Sequence, residues 1–269
     1  MNKKIIITLP HFNNPKGLLK TILSINESIT IDIIIVDDGS THKLDEKGIT
    51  SIYKYGKIYF QYLDKNQGVG VAANVCLDFA IKFKYELIAR LDAGDICYKD
   101  KFGKQVQYLE KNPEIKLLGT WARVLDSKGK HLYDLKHPID YKTIKQKMYF
   151  NSMFLNPSVM FYSHILNEVG GYPYKYRRAA QDYAFFFKII KRYKAENYPE
   201  ILLDYVTSNS SISSVKRKLQ VYHRIRIILD NFYFGIIPIY AILRNLILLI
   251  IPLNILTFIK SKLYRWKLL

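Results

Sequence analysis

Tyr85-Glu-Leu-Ile-Ala-Arg-Leu-Asp-Ala-Gly-Asp95 is the stretch whose reading decides the fold. It reads as a short apolar strand that runs into two carboxylates, Asp92 and Asp95. Carboxylates at the mouth of a strand cost desolvation unless a divalent cation or a row of hydroxyls uses them. In straight extended chain, positions 92 and 95 face opposite sides. Gly94 lifts that restriction, because glycine takes φ > 0 and can swing Asp95 round. By itself the stretch fits an acidic site and a solvated turn equally well, since Asp and Gly are ordinary turn residues. Its neighbours separate the two readings.

Upstream, Ile5–Leu9 is a β-branched apolar run closed by Pro10, and His11–Pro15 is a loop. Leu18, Leu19, Ile22 and Leu23 recur at helical spacing. Ile31–Val36 is a second buried run, ending in Asp37-Asp38-Gly39-Ser40-Thr41. Ile58–Leu63 is a third strand, Val69–Phe83 a helix and Leu87–Leu91 the fourth strand. Strands alternating with helices predict an open, mostly parallel α/β sheet with helices on both faces. Ligands bind at the carboxyl ends of such strands. Three of the four strands end in polar or acidic loops, at 10–14, 37–41 and 92–95. Downstream, the pattern predicts a helix over Phe102–Lys111, a strand from Ile115 to Val124 and another after Asn156-Pro157-Ser158. It then predicts a turn at Gly170–Pro173 and a helix over Gln181–Arg192. Residues 126–150 carry no clear period.

The formal net charge is +18. Such a balance suits nucleic acid, an anionic membrane surface or phosphorylated ligands. From Val215 onward there are ten Lys/Arg against one acid, Asp230. The two cysteines, Cys76 and Cys97, form no CxxC pair, which argues against a disulfide framework or a structural zinc site. The apolar run after Met-Asn-Lys-Lys is too short for a signal peptide, so a cytoplasmic location is expected. Phe232–Ile259 is strongly apolar but broken by Pro238, Arg244-Asn245 and Pro252, too short on either side to span a bilayer. Lys216, Arg217, Lys218, Arg224 and Arg226 precede it; Lys260, Lys262, Arg265 and Lys267 follow, with Tyr240, Tyr264 and Trp266 suited to headgroup level. This pattern predicts an interfacial anchor on the inner face of the cytoplasmic membrane. The alternative is a docked helical pair that completes the core.

Five segments, in order and spacing, resemble the family 2 glycosyltransferases, inverting enzymes with the nucleotide-binding GT-A fold. Ile5–Asn13 is similar to the family's first strand with its Pro-x-aromatic-Asn ending. Val36-Asp-Asp-Gly-Ser-Thr41 matches a family run without a change. Asn66-Gln-Gly-Val-Gly-Val-Ala-Ala-Asn74 resembles its Asn-x-Gly-x-x-x-Ala-Arg-Asn segment. Leu91–Asp95 falls at its Asp-x-Asp site, with Gly94 in place of the second Asp. Gly170-Gly-Tyr172 and Gln181-Asp182 look like its acceptor-side Gly-Gly-Tyr and Glu-Asp pairs. Further departures are Ala73 for Arg, His42 for Asp after Ser-Thr, and Asn156 for His before Pro-Ser.

The resemblance implies site roles. Pro10, Phe12, Asp37, Asp38, Gly68 and Asn74 would bind the nucleotide, with Asp38 reading the N3–H of uracil and Phe12 packing on the base. Thymine shares that N3–H, and an Asx-turn is the alternative use of Asp37 and Asp38. Arg90 and Asp92 would contact ribose and donor sugar. Asp92 and Asp95 would hold Mg²⁺ or Mn²⁺ against the diphosphate. Asp182 would be the general base, with Gly171, Tyr172 and Gln181 on the acceptor side. The alternative for Asp182 is an acid that serves only the helix dipole.

The implied activity is transfer of a single sugar, with inversion, from a nucleotide-sugar (a UDP-sugar) to a glycan or lipid-linked glycan of bacterial surface polysaccharide, of the lipopolysaccharide type. Residues 1–212 would form the GT-A-like domain, 1–100 its nucleotide half and 101–212 its acceptor half. Residues 213–269 would form the membrane-associating tail. Two other classes compete. Gly68-x-Gly70-x-x-Ala73 follows a strand and opens a helix, as in an NAD(P)-dependent oxidoreductase, but it follows the third strand where that fingerprint usually follows the first. The charge would suit nucleic acid, but no recognition motif accompanies it.

Overall fold

The apolar runs segregate by period 2 into two cores. Ile5, Ile7, Leu9, Ile33 and Ile35 point to one face of the sheet; Ile6, Ile34, Val36 and Ile88 point to the other. Both faces are buried, which is why these strands are continuously apolar. A computed structural model describes residues 4–177, 179–207 and 217–251. Among the described residues, the strands are β1 Ile5–His11, β2 Asp32–Asp37, β3 Ile58–Tyr62, β4 Leu87–Arg90, β5 Ile96–Cys97, β6 Ile115–Leu125, β7 His131–Leu135, β8 Met160–Tyr162 and β9 Lys194–Val206. The helices are α1 Pro15–Ser24, α2 Glu46–Ile52, α3 Val69–Lys82, α4 Lys101–Lys111, α5 Tyr141–Lys147, α6 Leu166–Val169, α7 Gln181–Arg192, α8 Arg217–Asp230 and α9 Ile236–Ile250. α1 and α4 pack on the first face of the sheet, α3 and α7 on the second.

The strand order is β3-β2-β1-β4-β8-β6-β9-β5, with β7 paired to β6. β1 to β4 are parallel, as expected. The remainder makes the sheet mixed and corrects the expectation of a mostly parallel one: β8 runs antiparallel to β4, β6 to β8, β7 to β6 and β5 to β9, while β6 and β9 are parallel. A parallel neighbour for β4 would need a crossover back to its start. Instead the 3₁₀ turn Asn156–Ser158 brings the chain in at the far end of β4, where the Arg90 N–H donates to Val159 O (3.0 Å), and β8 runs back from there.

Gly119 lets β6 and β9 close. A Cβ there would lie 2.2 Å from Asn197 Oδ1, and Asn197 Nδ2 is held by the Pro138 and Met153 carbonyls (2.7 and 3.0 Å). Gly119→Ala is expected to lower stability by about 1–3 kcal/mol through overpacking, read by urea denaturation. An unchanged midpoint would mean that Asn197 has room to move.

α8 and α9 form a helical pair docked on the second face. Ile227, Ile228 and Ala241 join the core cluster there. His223 Nδ1 donates to Ala179 O (2.8 Å), Tyr149 Oη donates to Asn231 O (2.8 Å), and Asp230 accepts from Tyr176 Oη (2.6 Å) and Lys175 Nζ (2.5 Å). The other side of the pair is open: Phe234 is 96% exposed, Ile236 86% and Ile250 81%. Docking and exposure therefore occur on the same two helices. No helix among the described residues is long and apolar enough to cross a membrane. Ser213–Lys216 and the distal part of the tail, with Lys260, Lys262, Tyr264, Arg265, Trp266 and Lys267, lie outside the described residues.

Candidate active site

Because β1, β2 and β4 are adjacent and parallel, their carboxyl ends bring the three polar loops together. At the first two ends, His11 Nε2 accepts the Asn14 N–H (3.1 Å). The proton of a neutral ring therefore sits on Nδ1, which donates to Asp37 Oδ2 at 2.7 Å. Asp37 Oδ1 accepts from the Ser40 N–H (2.7 Å). Asp38 faces elsewhere: its two oxygens accept the N–H groups of Gln67 and Gly68, both at 2.8 Å. Burial, with Asp37 adding to it, raises the Asp38 pKa, and the two amide bonds oppose the rise. Asp38 thus ties β2 to the loop that enters α3. Pro10 is buried within β1, and Phe12 stands at the rim, 46% exposed.

The acidic turn after β4 is held from α1. Thr21 Oγ1 donates to Asp95 O (2.8 Å) and accepts the Gly94 N–H (2.9 Å), while Asn14 Nδ2 donates to Ala93 O (2.8 Å). Gly94 has φ 119°, as the turn requires. Arg90 is buried, 1% exposed. Its Nη1 donates to Thr8 O (3.0 Å) and Leu91 O (2.5 Å), and its Nη2 to Asp92 Oδ1 (2.5 Å). The Asp92 side chain remains 39% exposed. Asp95 turns the other way: it is 3% exposed, and its Oδ1 accepts the Val206 N–H of β9 (3.1 Å). Burial, and then repulsion from Asp92, push the Asp95 carboxyl well up from its usual range.

The acceptor-side residues arrive from α3 and α7. Asn74 Oδ1 accepts the Tyr172 N–H (2.8 Å) and its Nδ2 donates to Tyr172 O (2.9 Å). The Asn74 amide is therefore occupied in holding the Gly171-Tyr172 backbone, not turned to a nucleotide. A Cβ on Gly171 would lie 2.4 Å from Asn74 Oδ1. Tyr172 Oη donates to Asn156 Oδ1 (3.1 Å) and lies in the fields of Arg90, Asp182 and Asp92. Asp182 sits in the first turn of α7 and accepts the Tyr183 N–H (2.9 Å). Burial is the main cause of its raised pKa; repulsion from Asp92 adds to it, and the Tyr183 amide and Arg90 oppose it. Arg90, Asp92, Tyr172 and Asp182 thus share one space. Such an arrangement can fix a hydroxyl beside a carboxylate that is ready to take its proton.

Gly68 and Gly70 lie against the segment that enters α7. Added Cβ atoms would meet Arg177 O at 3.6 Å and Gln181 Cγ at 3.4 Å respectively, so the segment entering α7 covers the start of α3. The dinucleotide reading of Gly68-x-Gly70-x-x-Ala73 gains no support from this arrangement.

No group of three or more His, Cys, Asp or Glu suited to a metal occurs among the described residues. Mg²⁺ beside a nucleotide needs only one or two carboxylates, with phosphate and water completing the shell. Asp92 fits such a role through its exposure. Asp95, buried and turned toward β9, is not open to a cation in this arrangement.

Some contributors escaped the sequence reading. Tyr205 on β9 lies in the fields of Asp92, Asp95 and Asp182, which raise its pKa beyond what burial does. Thr21 and Asn14 shape the acidic turn. Asn14 had a signal, as a cap three residues before Gly17, whose N–H it accepts at 3.1 Å. Thr21 and Tyr205 had none, since their partners are distant in sequence.

A profile described as Glycosyl transferase family 2 matches residues 6–170. The chain is 31% identical to the uncharacterized glycosyltransferase MJ1057 of Methanocaldococcus jannaschii, over 97% of this chain and 96% of that protein. It is 25% identical to the Escherichia coli UDP-Gal:alpha-D-GlcNAc-diphosphoundecaprenol beta-1,3-galactosyltransferase, over 77% of each. Among solved structures, S. aureus TarS 1-349 in complex with UDP-GlcNAc superposes with TM-score 0.62 at 15% identity, covering 84% of this chain and 67% of that one. The Pyrobaculum calidifontis mannosyltransferase PcManGT, in complex with GDP-Man and Mn²⁺, superposes with TM-score 0.64 at 14% identity, covering 91% and 69%. At these identities the two structures establish the shared GT-A-like fold.

Proposed function

Since the chain belongs to glycosyl transferase family 2 and is a nucleotide-sugar-dependent glycosyltransferase, we propose that it transfers one sugar, with inversion, from a UDP-sugar to a lipid-linked glycan in bacterial surface polysaccharide synthesis. The observation that carries this reading is the convergence of Arg90, Asp92, Tyr172 and Asp182 beside the Asp37–Asp38 strand end. The E. coli relative, named for a diphosphoundecaprenol acceptor, supports the acceptor class.

In this reading the uracil lies between Phe12 and the β2 end. A carboxylate offers about four acceptor sites, so Asp38, bonded to two amides, retains capacity for the base N3–H. Arg90 fixes Asp92 toward ribose and donor sugar. A Mg²⁺ or Mn²⁺ held at Asp92 would neutralise the charge of the departing diphosphate. Asp182 takes the proton of the acceptor hydroxyl as its oxygen forms a bond to the anomeric carbon. The bond from that carbon to the diphosphate oxygen breaks with its electron pair on the diphosphate. Attack from the opposite side inverts the centre. Holding both reactants in line supplies much of the acceleration.

Thermal stability with UDP, dTDP, GDP and NAD⁺, each with and without Mn²⁺, tests the donor. A ligand at 100 times its Kd adds about 2.7 kcal/mol, or roughly 5–10 °C for a domain of this size. UDP with Mn²⁺ is expected to give the largest shift and NAD⁺ none. A shift with NAD⁺ and none with UDP sinks the reading.

Residues 213–269 complete the proposal as a membrane-associating tail behind the 1–212 catalytic domain, in which 1–100 is the donor half and 101–212 the acceptor half. The exposed Phe234, Ile236 and Ile250 suit insertion at the inner face of the cytoplasmic membrane, beside basic residues that favour anionic lipid. The full chain is expected to sediment with phosphatidylglycerol-containing vesicles, and Phe234→Ser with Ile236→Ser to lower the bound fraction several-fold. Equal sedimentation of the double variant would remove this face from the anchor.

A further inference from the structure

Two arginines on the docked helical pair are left without acidic partners. Arg224 of α8 is half-buried and donates from Nη1 to Asn245 Oδ1 at 3.4 Å. Arg244 of α9, also half-buried, donates from Nη1 to Phe150 O at 3.0 Å. Neither makes an ion pair among the described residues, in contrast to Arg90 and Arg123, which pair with Asp92 and Asp204. Burial, the main cause, lowers the Arg224 pKa; the Arg244 charge adds to this, while Tyr183 and Asp182 oppose it. Two guanidinium groups brought together in a partly desolvated place repel, and an anion between them would offset that cost.

Their place in the fold says which anion. Arg224 follows His223, whose Nδ1 donates to Ala179 O (2.8 Å) three residues before Asp182, the residue assigned to the acceptor hydroxyl. The same helical pair carries the exposed apolar residues Phe234, in the turn between α8 and α9, and Ile236 and Ile250, at the two ends of α9. A lipid-linked glycan has its sugar at one end, its lipid at the other and a diphosphate between them. We propose that Arg224 and Arg244 bind the diphosphate of a polyprenyl-diphosphate-linked acceptor, with the sugar reaching Asp182 and the lipid lying along the apolar face. The inference rests on the transferase reading. The guanidinium fork matches paired phosphate oxygens. A phospholipid headgroup offers phosphate too, but as a monoester or diester with one phosphorus.

The test uses the full chain in saturating UDP and Mn²⁺, so that any donor diphosphate site is filled. Farnesyl diphosphate, farnesol and dihexanoyl phosphatidylglycerol are titrated by calorimetry. Farnesyl diphosphate is expected to bind at least tenfold tighter than the other two. Arg224→Ala with Arg244→Ala is expected to weaken it at least tenfold, and to raise KM for a diphosphate-linked acceptor more than it lowers kcat. The double Lys variant keeps the charges and guards against misfolding of the Ala variant; it is expected to bind with intermediate affinity. Equal binding by the wild type and either double variant would overturn the proposal. Phosphatidylglycerol binding as tight as farnesyl diphosphate binding would overturn it as well. If UDP fails to bind the wild-type chain, the transferase reading fails instead, and the two failures are distinct.

Discussion

Asp182→Asn is expected to lower kcat by roughly 10²–10⁴-fold, the usual contribution of a positioned general base. The amide can still accept the Tyr183 N–H that Asp182 accepts at 2.9 Å, so the turn and the fold should survive. It cannot take a proton. The pH profile gives an independent signature. Burial, aided by Asp92, raises the Asp182 pKa. A base works only when deprotonated, so the rate is lost as pH falls through that raised value. The acid limb of kcat should therefore lie above the ordinary carboxylate range of about 3.9, and it should vanish in the residual activity of Asp182→Asn. Wild-type-like turnover in the variant would assign proton removal to another group. A retained acid limb would show that another group controls it.

Arg90→Met is expected to have the largest effect on stability. Arg90 is 1% exposed and satisfies Leu91 O, Thr8 O and Asp92 at once. Removing one partner of a buried ion pair costs about 3–5 kcal/mol. Two features reduce that figure. The Asp92 side chain is 39% exposed and can turn to water, and Thr8 O keeps the Leu91 N–H at 3.1 Å. A loss of about 2–4 kcal/mol follows, to be read as a lower urea midpoint. Asp92 would also lose the contact that aims it, and kcat/KM should fall by about 10²-fold. Arg90→Lys separates the two effects. It keeps a charge for Asp92, but a single ammonium lacks the guanidinium fork, so stability should recover in part while kcat/KM stays low. A midpoint unchanged by Arg90→Met would show that the guanidinium is not a strut.

The features visible in the sequence are those fixed by short-range chemistry. The strand ends at Asp37, Asp38 and Asp92 follow from an apolar run that stops at a carboxylate. Asp182 stands in the first turn of a periodic helix, and its part in the site comes from the resemblance of Gln181-Asp182 to the family pair. The features hidden from it depend on distant partners. Asp38 meets the Gln67 and Gly68 amides, Asn74 meets Tyr172, and Asp95 meets Val206. Nothing within ten residues of any of these acids and amides announces that partner. β9 was hidden because Lys194–Val206 mixes Tyr, Glu and Pro into its pattern, and its burial alternates only in part. The reversal of β8 was hidden because it is decided by the end of β4 at which the chain arrives. In the tail, hydropathy registered how apolar the helices are, but not that Ile227, Ile228 and Ala241 dock while Phe234 and Ile236 face out.

The bond from the Val206 N–H to Asp95 Oδ1 spans 111 positions of chain. During synthesis, β1 to β4 have all their parallel neighbours once the ribosome has passed the fourth strand. The acidic turn is held early from α1, by Thr21 and Asn14, but the Asp95 carboxylate lacks its partner until the end of β9 is made, and Asp182, the proposed base, lies on α7. Loop closure over such a distance adds an entropic delay, and domains emerge from the ribosome amino end first. A nascent chain stopped before β9 would therefore hold a formed nucleotide half in which the Asp95 carboxylate still lacks its backbone partner. The last brace of the acidic turn arrives as a late event in the birth of the molecule, after most of its hydrophobic sheet has already paired.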